Sequence, residues 1–210
     1  MDNYWNEIWK NPNLDEFQRY INRHVNSRPE FLNIFQEYKI TNVCDAACGF
    51  GAYSAMLVAN GYHVIGFDIA PSSIELARIL LNTYGINTSE YFVSSIVDIK
   101  QLSESFDAVV AHAVIDHLVY EDAFRAIEEL LRIVKSGGLV YISFDGIEEE
   151  DREFEHVVLD DGSFLYTDCR RDGLLFRYYT DEDIRTLLQG RNVIYSKVKE
   201  NGEREIIIQK

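Results

Sequence analysis

One run constrains this chain more than any other: Val43-Cys44-Asp45-Ala46-Ala47-Cys48-Gly49-Phe50-Gly51-Ala52-Tyr53-Ser54. Ile40, Val43 and Cys44 are apolar and β-compatible, so the run opens as a buried strand. Gly49 and Gly51 permit backbone geometry closed to other residues and let a ligand approach the main chain. A helical pattern starts at Ala52. The next apolar run, Tyr62 to Phe67, ends in a second acid, Asp68. Strand, glycine turn, helix and acid-terminated strand together make a nucleoside-binding device. The turn offers backbone N–H groups, and the acid accepts hydrogen bonds from ribose hydroxyls.

A dinucleotide fingerprint requires a third glycine where this chain has Ser54, and its helix N-terminus faces a pyrophosphate. Asp45 sits badly beside a pyrophosphate and suits a cationic end, such as an amino-acid ammonium. A nucleoside that carries an amino acid and no phosphate is S-adenosylmethionine. At Asp45-Ala46-Ala47-Cys48-Gly49-Phe50-Gly51 the chain resembles the class I S-adenosylmethionine-dependent methyltransferases, whose first motif runs approximately D-x-G-C-G-x-G. It departs at Ala47, where glycine is usual. The resemblance implies cofactor contacts from Asp45, Ala47, Cys48, Gly49, Gly51, Asp68 and Ile69.

The remaining segments follow in the family's order. Pro71 and the serines after it start a helix carried on by Ile74, Ala77, Arg78 and Leu81. Glu90 to Ser94 reads as strand three. The acid that often contacts adenine in the family aligns with Ser95, with Ile96 packing on the ring; both are expected at the cofactor. Ser105 to Ala111 is strand four, leading into His112-Ala113-Val114-Ile115-Asp116-His117. His112 and Asp116 have the spacing of neighbours on a helical turn, so either could take a proton from a substrate or orient it. His112 is also a cofactor contact in this reading, and His117 a structural helix-start residue. A helix from Glu121 to Val134 is expected to stop at Lys135-Ser136-Gly137-Gly138, before strand five, Leu139 to Phe144. The passage through Gly137-Gly138 resembles the family's R-x-L-K-P-G-G, with Ser136 in place of proline.

The first forty residues read as amphipathic helices broken at Asn11-Pro12-Asn13 and Ser27-Arg28-Pro29. Tyr4, Trp5 and Trp9 are substrate-pocket candidates, because aromatic faces hold sulfonium or amine groups by cation–π attraction. After strand five, Glu148-Glu149-Glu150-Asp151 opens a charged loop. Asp160-Asp161-Gly162 then marks a hairpin, and Leu174 to Tyr179 supplies another strand, with Tyr178 a substrate candidate. Thr180-Asp181-Glu182-Asp183 reads as a capped helix start, and Asn201-Gly202 turns a final hairpin.

These elements, with the resemblance, imply an α/β fold: a Rossmann-like, doubly wound seven-stranded sheet of order 3-2-1-4-5-7-6, its last strand antiparallel. Residues 1–210 are expected to form one domain, with a helical cap at 1–39 and an antiparallel insertion at 146–179. The three cysteines, Cys44, Cys48 and Cys169, lack paired spacing for a disulfide framework or zinc, and no metal site is expected. The net charge of -15 opposes phosphate backbones and argues against nucleic acid as the main partner. No basic-then-apolar leader and no run of membrane-spanning length is visible, so a soluble cytoplasmic monomer or homodimer is the expectation. The function so read is methyl transfer from S-adenosyl-L-methionine to a small-molecule N or O nucleophile by in-line displacement, with no side chain necessarily essential. Two other readings stay open: a tRNA or protein methyltransferase, and a catalytically inactive protein that binds S-adenosylmethionine or S-adenosylhomocysteine.

Overall fold

In the computed structural model, which describes residues 2–146 and 152–210, the apolar runs become the interior of a seven-stranded sheet. The acidic run 148–151 lies outside the described residues. In chain order come helices α1 (Asp2–Ile8), α2 (Leu14–His24) and α3 (Phe31–Glu37), then β1 (Asn42–Ala46), α4 (Ala52–Ala59), β2 (His63–Asp68), α5 (Pro71–Asn82), β3 (Phe92–Val93) and β4 (Phe106–Ala111). A 3-10 turn (Ile115–His117), α6 (Tyr120–Ile133) and β5 (Val134–Phe144) follow. The chain closes with β6 (His156–Val158), β7 (Phe164–Tyr166), β8 (Leu175–Phe176), α7 (Asp181–Leu187), β9 (Asn192–Val198) and β10 (Arg204–Gln209).

The main sheet runs β3-β2-β1-β4-β5-β10-β9. β3, β2, β1, β4 and β5 are mutually parallel, and β10 is antiparallel to both of its neighbours. This is the order expected from the sequence. Successive residues of a strand face opposite sides, and the core divides accordingly. On one face Cys44, Val109, Ala111 and Ile142 pack under Ile127, Leu130 and Ile184. On the other, Val43, Val110 and Tyr141 pack under Phe31, Phe35 and Leu57. Helices on both sides explain why the central strands read as continuous apolar runs.

Three segments differ from expectation. β5 begins at Val134, directly after α6, so Lys135 to Gly138 lies inside the strand. The glycine pair serves strand packing: a Cβ on Gly138 would lie 2.5 Å from the Asp107 carbonyl oxygen, and Gly137 takes φ +77°. β3 and β8 each shrink to two residues, pairing with β2 and β7 respectively. The insertion forms its own sheet, β6-β7-β8, turned at Gly162 with φ +84°. Asp161 then ties it to the body by accepting the Tyr120 backbone N–H at 2.7 Å, at the start of α6.

Candidate active site

The strand order reverses between β1 and β4. In open α/β sheets a crevice forms at such a point, beyond the carboxyl ends of the strands. Three cavity compartments lie there, and Ala47 lines all three. The first, about 120 Å³, is bounded by Trp5, Trp9, Gly49, Asp68, Ile69 and His117. The second, about 160 Å³, is mainly apolar, with Phe67, Ile69, Ile96, Val97, Val114 and Leu118 beside Ser94 and Ser95. The third, about 190 Å³, is lined by Asp45, Cys48, Tyr20, Phe50, Tyr53 and His112 among others.

The turn after β1 shapes this crevice. Ala47 holds φ +55° and Gly49 φ +53°. Gly51 takes φ +87°, and a Cβ there would lie 2.7 Å from a Leu81 methyl. Gly51 therefore sets the turn's path without lining a compartment. The Cys48 N–H reaches the Phe67 carbonyl oxygen at 2.9 Å, fastening the turn to β2.

Asp68 supports the turn and also faces the first compartment. Its carboxylate accepts the backbone N–H groups of Gly49 and Ala70, each at 2.9 Å. Burial pushes its pKa up, and those N–H groups oppose the shift. Ser73 and the Ile69 N–H add to the lowering, and the carboxylate lines the first compartment, where a ligand hydroxyl can reach it. Asp45 is 2% exposed, and its Oδ2 accepts the Ser54 hydroxyl at 2.6 Å. Burial pushes it up to about 7 despite that bond.

His112 directly follows β4 and stacks on Tyr53 with centroids 4.2 Å apart. Its Nδ1 lies 2.8 Å from the Ser143 hydroxyl oxygen, which already accepts the Ala113 N–H at 2.9 Å. Burial lowers its pKa to about 4, so it is neutral near pH 7. The helical turn expected to join His112 to Asp116 does not form, because the 3-10 turn spans only Ile115–His117. Asp116 is 0% exposed and lines none of the three compartments. Its carboxylate accepts the Asp145 N–H at 3.1 Å, and burial raises its pKa well above the usual range.

Of the aromatic candidates, Trp5 and Trp9 wall the crevice. Tyr4 packs edge-on against Trp5, and Tyr178 packs within the insertion on Phe164 and Phe176; neither lines a compartment. Ser95 and Ile96 line the second compartment. Residues passed over in the sequence also face the crevice. His117, expected to be structural, lines two compartments while its Nδ1 contacts the Leu175 carbonyl oxygen at 3.0 Å. Its position just past strand four was the available signal. Tyr20 and Tyr53 carried none, since only the fold brings them to the turn.

A family model described as a methyltransferase domain matches residues 44–142, the segment that builds most of this crevice. A demethylmenaquinone methyltransferase of Clavibacter sepedonicus is 32% identical over 100 residues, covering 48% of this chain and 39% of the relative. A probable tRNA methyltransferase 9B of Homo sapiens is 29% identical over 129 residues, covering 60% of this chain and 26% of the relative. The chain spans 21–39% of the length of the first curated relatives it matches. Over most of its length it superposes on the crystal structure of a SAM-dependent methyltransferase from Methanosarcina mazei: TM-score 0.71, 25% identity, 84% of this chain and 96% of that one. Motif turn, sheet order and these likenesses agree: the chain carries a match to a methyltransferase domain over residues 44–142 and shares the fold of a SAM-dependent methyltransferase.

Proposed function

We propose that the protein transfers a methyl group from S-adenosyl-L-methionine to a small-molecule N or O nucleophile. One observation carries this reading: the chemistry of the three joined compartments follows the order of the cofactor's parts. The apolar slot at Ile96, Val97 and Leu118 suits the adenine ring. Asp68, facing the next compartment, suits the ribose hydroxyls. Asp45, at the far end, suits the amino-acid ammonium. The residues therefore fit the group.

Bound there, S-adenosylmethionine supplies an electrophilic methyl carbon on a sulfonium. The chain's own part is to hold both reactants in line, and such alignment alone supplies much of a reaction's acceleration. Trp5, Trp9 and His117 wall the first compartment. Neutral His112 is placed to orient the acceptor, while Asp116, buried away from the crevice, acts only by fixing the chain at Asp145.

Calorimetric titration with S-adenosylmethionine and S-adenosylhomocysteine, with NADH as control, tests the reading. Saturable binding is expected for the first two compounds alone, weakened by roughly 1–3 kcal/mol in Asp68→Ala. No binding to folded protein sinks it. The human relative's name raises an RNA acceptor as the second reading. The net charge of -15 disfavours it, and salt-dependent tRNA binding would favour it.

A further inference from the structure

The third compartment carries aromatic walls that the cofactor's amino-acid end does not itself call for. Its walls are aromatic: Trp9, Tyr20, Phe50, Tyr53 and the His112 ring. Among the described residues no lysine or arginine lines it, and Asp45 brings its one carboxylate. Behind His112 stands Glu203, with Oε1 3.8 Å from the imidazole Nδ1 and a side chain 11% exposed. Glu203 and the buried Glu205 share one cation, Lys199, at 2.9 and 2.7 Å. A single lysine between two carboxylates leaves one negative charge uncompensated.

That charge reaches the aromatic walls. Burial raises the Tyr53 hydroxyl's pKa, and Glu203 raises it further. At Tyr20 burial again leads; Arg23 pulls down, Glu203 and Asp145 push up, and Lys199 pulls down last. His112 is uncharged, its pKa lowered by burial first and then by Lys199, while Glu205 raises it. Arg23, 5.7 Å from the Tyr20 ring centroid, and His24, stacked on the same ring at 4.1 Å, belong to α2 and line none of the compartments. With Asp45 taken up by the cofactor's ammonium, a carboxylate or phenolate would still enter against aromatic faces and the Glu203–Glu205 charge, with no lysine or arginine of the described walls to meet it. An organic cation gains from both.

We propose that the methyl acceptor is a small primary or secondary amine, held among Tyr20, Tyr53 and Trp9 as its ammonium, with Glu203 as the counter-charge that selects it. This assignment rests on S-adenosylmethionine being the cofactor and lying across the three compartments in the order proposed. The ammonium first gives up one proton to water. The nitrogen lone pair then forms the N–C bond as the C–S bond breaks, its electron pair staying on sulfur. Sulfur loses its positive charge and nitrogen regains one, so the acceptor nitrogen is a cation beside the same carboxylates on entry and again as product. An oxygen nucleophile entering as an anion would instead end neutral and forfeit that stabilisation.

The test uses the full chain saturated with S-adenosylhomocysteine. It is titrated calorimetrically with amines, alcohols and carboxylates on matched propyl, cyclohexyl and benzyl skeletons. Amines bind, and the matched carboxylates and alcohols bind at least tenfold more weakly. Glu203→Gln weakens amine binding about tenfold and leaves S-adenosylhomocysteine affinity within twofold. Because Glu203 also pairs with Lys199, a second pair of variants guards against misfolding. Tyr20→Phe keeps an aromatic face and holds amine affinity, whereas Tyr20→Leu loses about tenfold. Tighter binding of carboxylates or alcohols, no amine binding, or amine affinity indifferent to Glu203→Gln and Tyr20→Leu overturns the proposal. If S-adenosylhomocysteine itself fails to bind, the cofactor reading beneath it falls, a result the first titration separates from the rest.

Discussion

Burial holds the Asp45 carboxyl at about 7, against roughly 3.9 in an unfolded chain. Between those values the native protein keeps a proton that the unfolded chain has released. Asp45's contribution to stability is therefore full below about pH 4 and is lost as pH rises through 7. A ligand ammonium beside it reverses the preference by stabilising the charged form. S-adenosylhomocysteine affinity should accordingly fall below pH 7, by up to about tenfold per pH unit. Asp45→Asn should bind weakly with a flat profile; calorimetry at pH 6, 7 and 8 separates the two. The neighbouring Ala47 carries a different burden, its φ of +55°. A left-handed conformation costs an alanine roughly 1–2 kcal/mol, offset in glycine by about 0.5–1 kcal/mol of lost chain freedom. Ala47→Gly should thus lie within about 1 kcal/mol of the parent in denaturant unfolding. Ala47→Val adds a branched Cβ at the meeting point of three compartments. It should lower stability by about 2 kcal/mol and abolish S-adenosylhomocysteine binding.

Asp107, at the second position of β4, acts at the scale of elements. Its Oδ2 accepts the Thr41 and Asn42 backbone N–H groups at 3.0 and 2.9 Å and the Thr41 hydroxyl at 2.7 Å, while Lys135 of β5 reaches Oδ1 at 2.7 Å. One carboxylate fixes the entries of three parallel strands. Burial pushes its pKa up, but these donors together outweigh burial and hold it well below the usual carboxylate range. A depressed pKa contributes stability above about pH 4 that is lost as pH falls. Asp107→Ala should cost about 2 kcal/mol at pH 7, a cost that holds down to about pH 4 and shrinks only as pH falls further toward the depressed native value, as denaturant titrations across that range can check. The sequence displays Phe106-Asp107 as a family segment but not this staple, because its partners are 65 and 66 residues away. The same physics marks what was legible. Apolar runs fixed the central strands, and Asp45, Gly49, Gly51 and Asp68 defined the turn, since all of that is local in sequence. The start of β5 was not legible, because Gly137-Gly138 stops a helix or passes a strand equally well until Asp107 is known to press on it. Tyr20, Tyr53 and Glu203 were invisible for the same reason: they converge only once β1, β4 and the β9–β10 hairpin share a sheet.

At the scale of the molecule, the N-terminal helix is a small element set over a large opening. α1 is held to the body by the Ser72 hydroxyl on the Asn6 carbonyl oxygen at 2.8 Å, by Trp5 edge-on to His117 at 4.7 Å, and by Tyr4 against Gly173. Its described residues belong to none of the three buried core clusters, although Trp9 just beyond it packs against one. Deleting residues 1–8 should therefore shift the melting temperature of the ligand-free protein by only a few degrees. The crevice loses more. Trp5 lines both the first and second compartments, and an aromatic wall of that size contributes about 1.5–3 kcal/mol when a ligand buries it. S-adenosylhomocysteine affinity should fall about 10- to 100-fold. The two effects separate in one thermal-shift series, because a ligand stabilises the native state in proportion to the logarithm of its concentration over its dissociation constant. At a fixed S-adenosylhomocysteine concentration, the truncated chain should show a ligand-induced rise well below that of the full chain, from nearly the same baseline. An equal rise would place α1 outside the binding site. A collapsed baseline would make it part of the fold's core, contrary to its sparse packing.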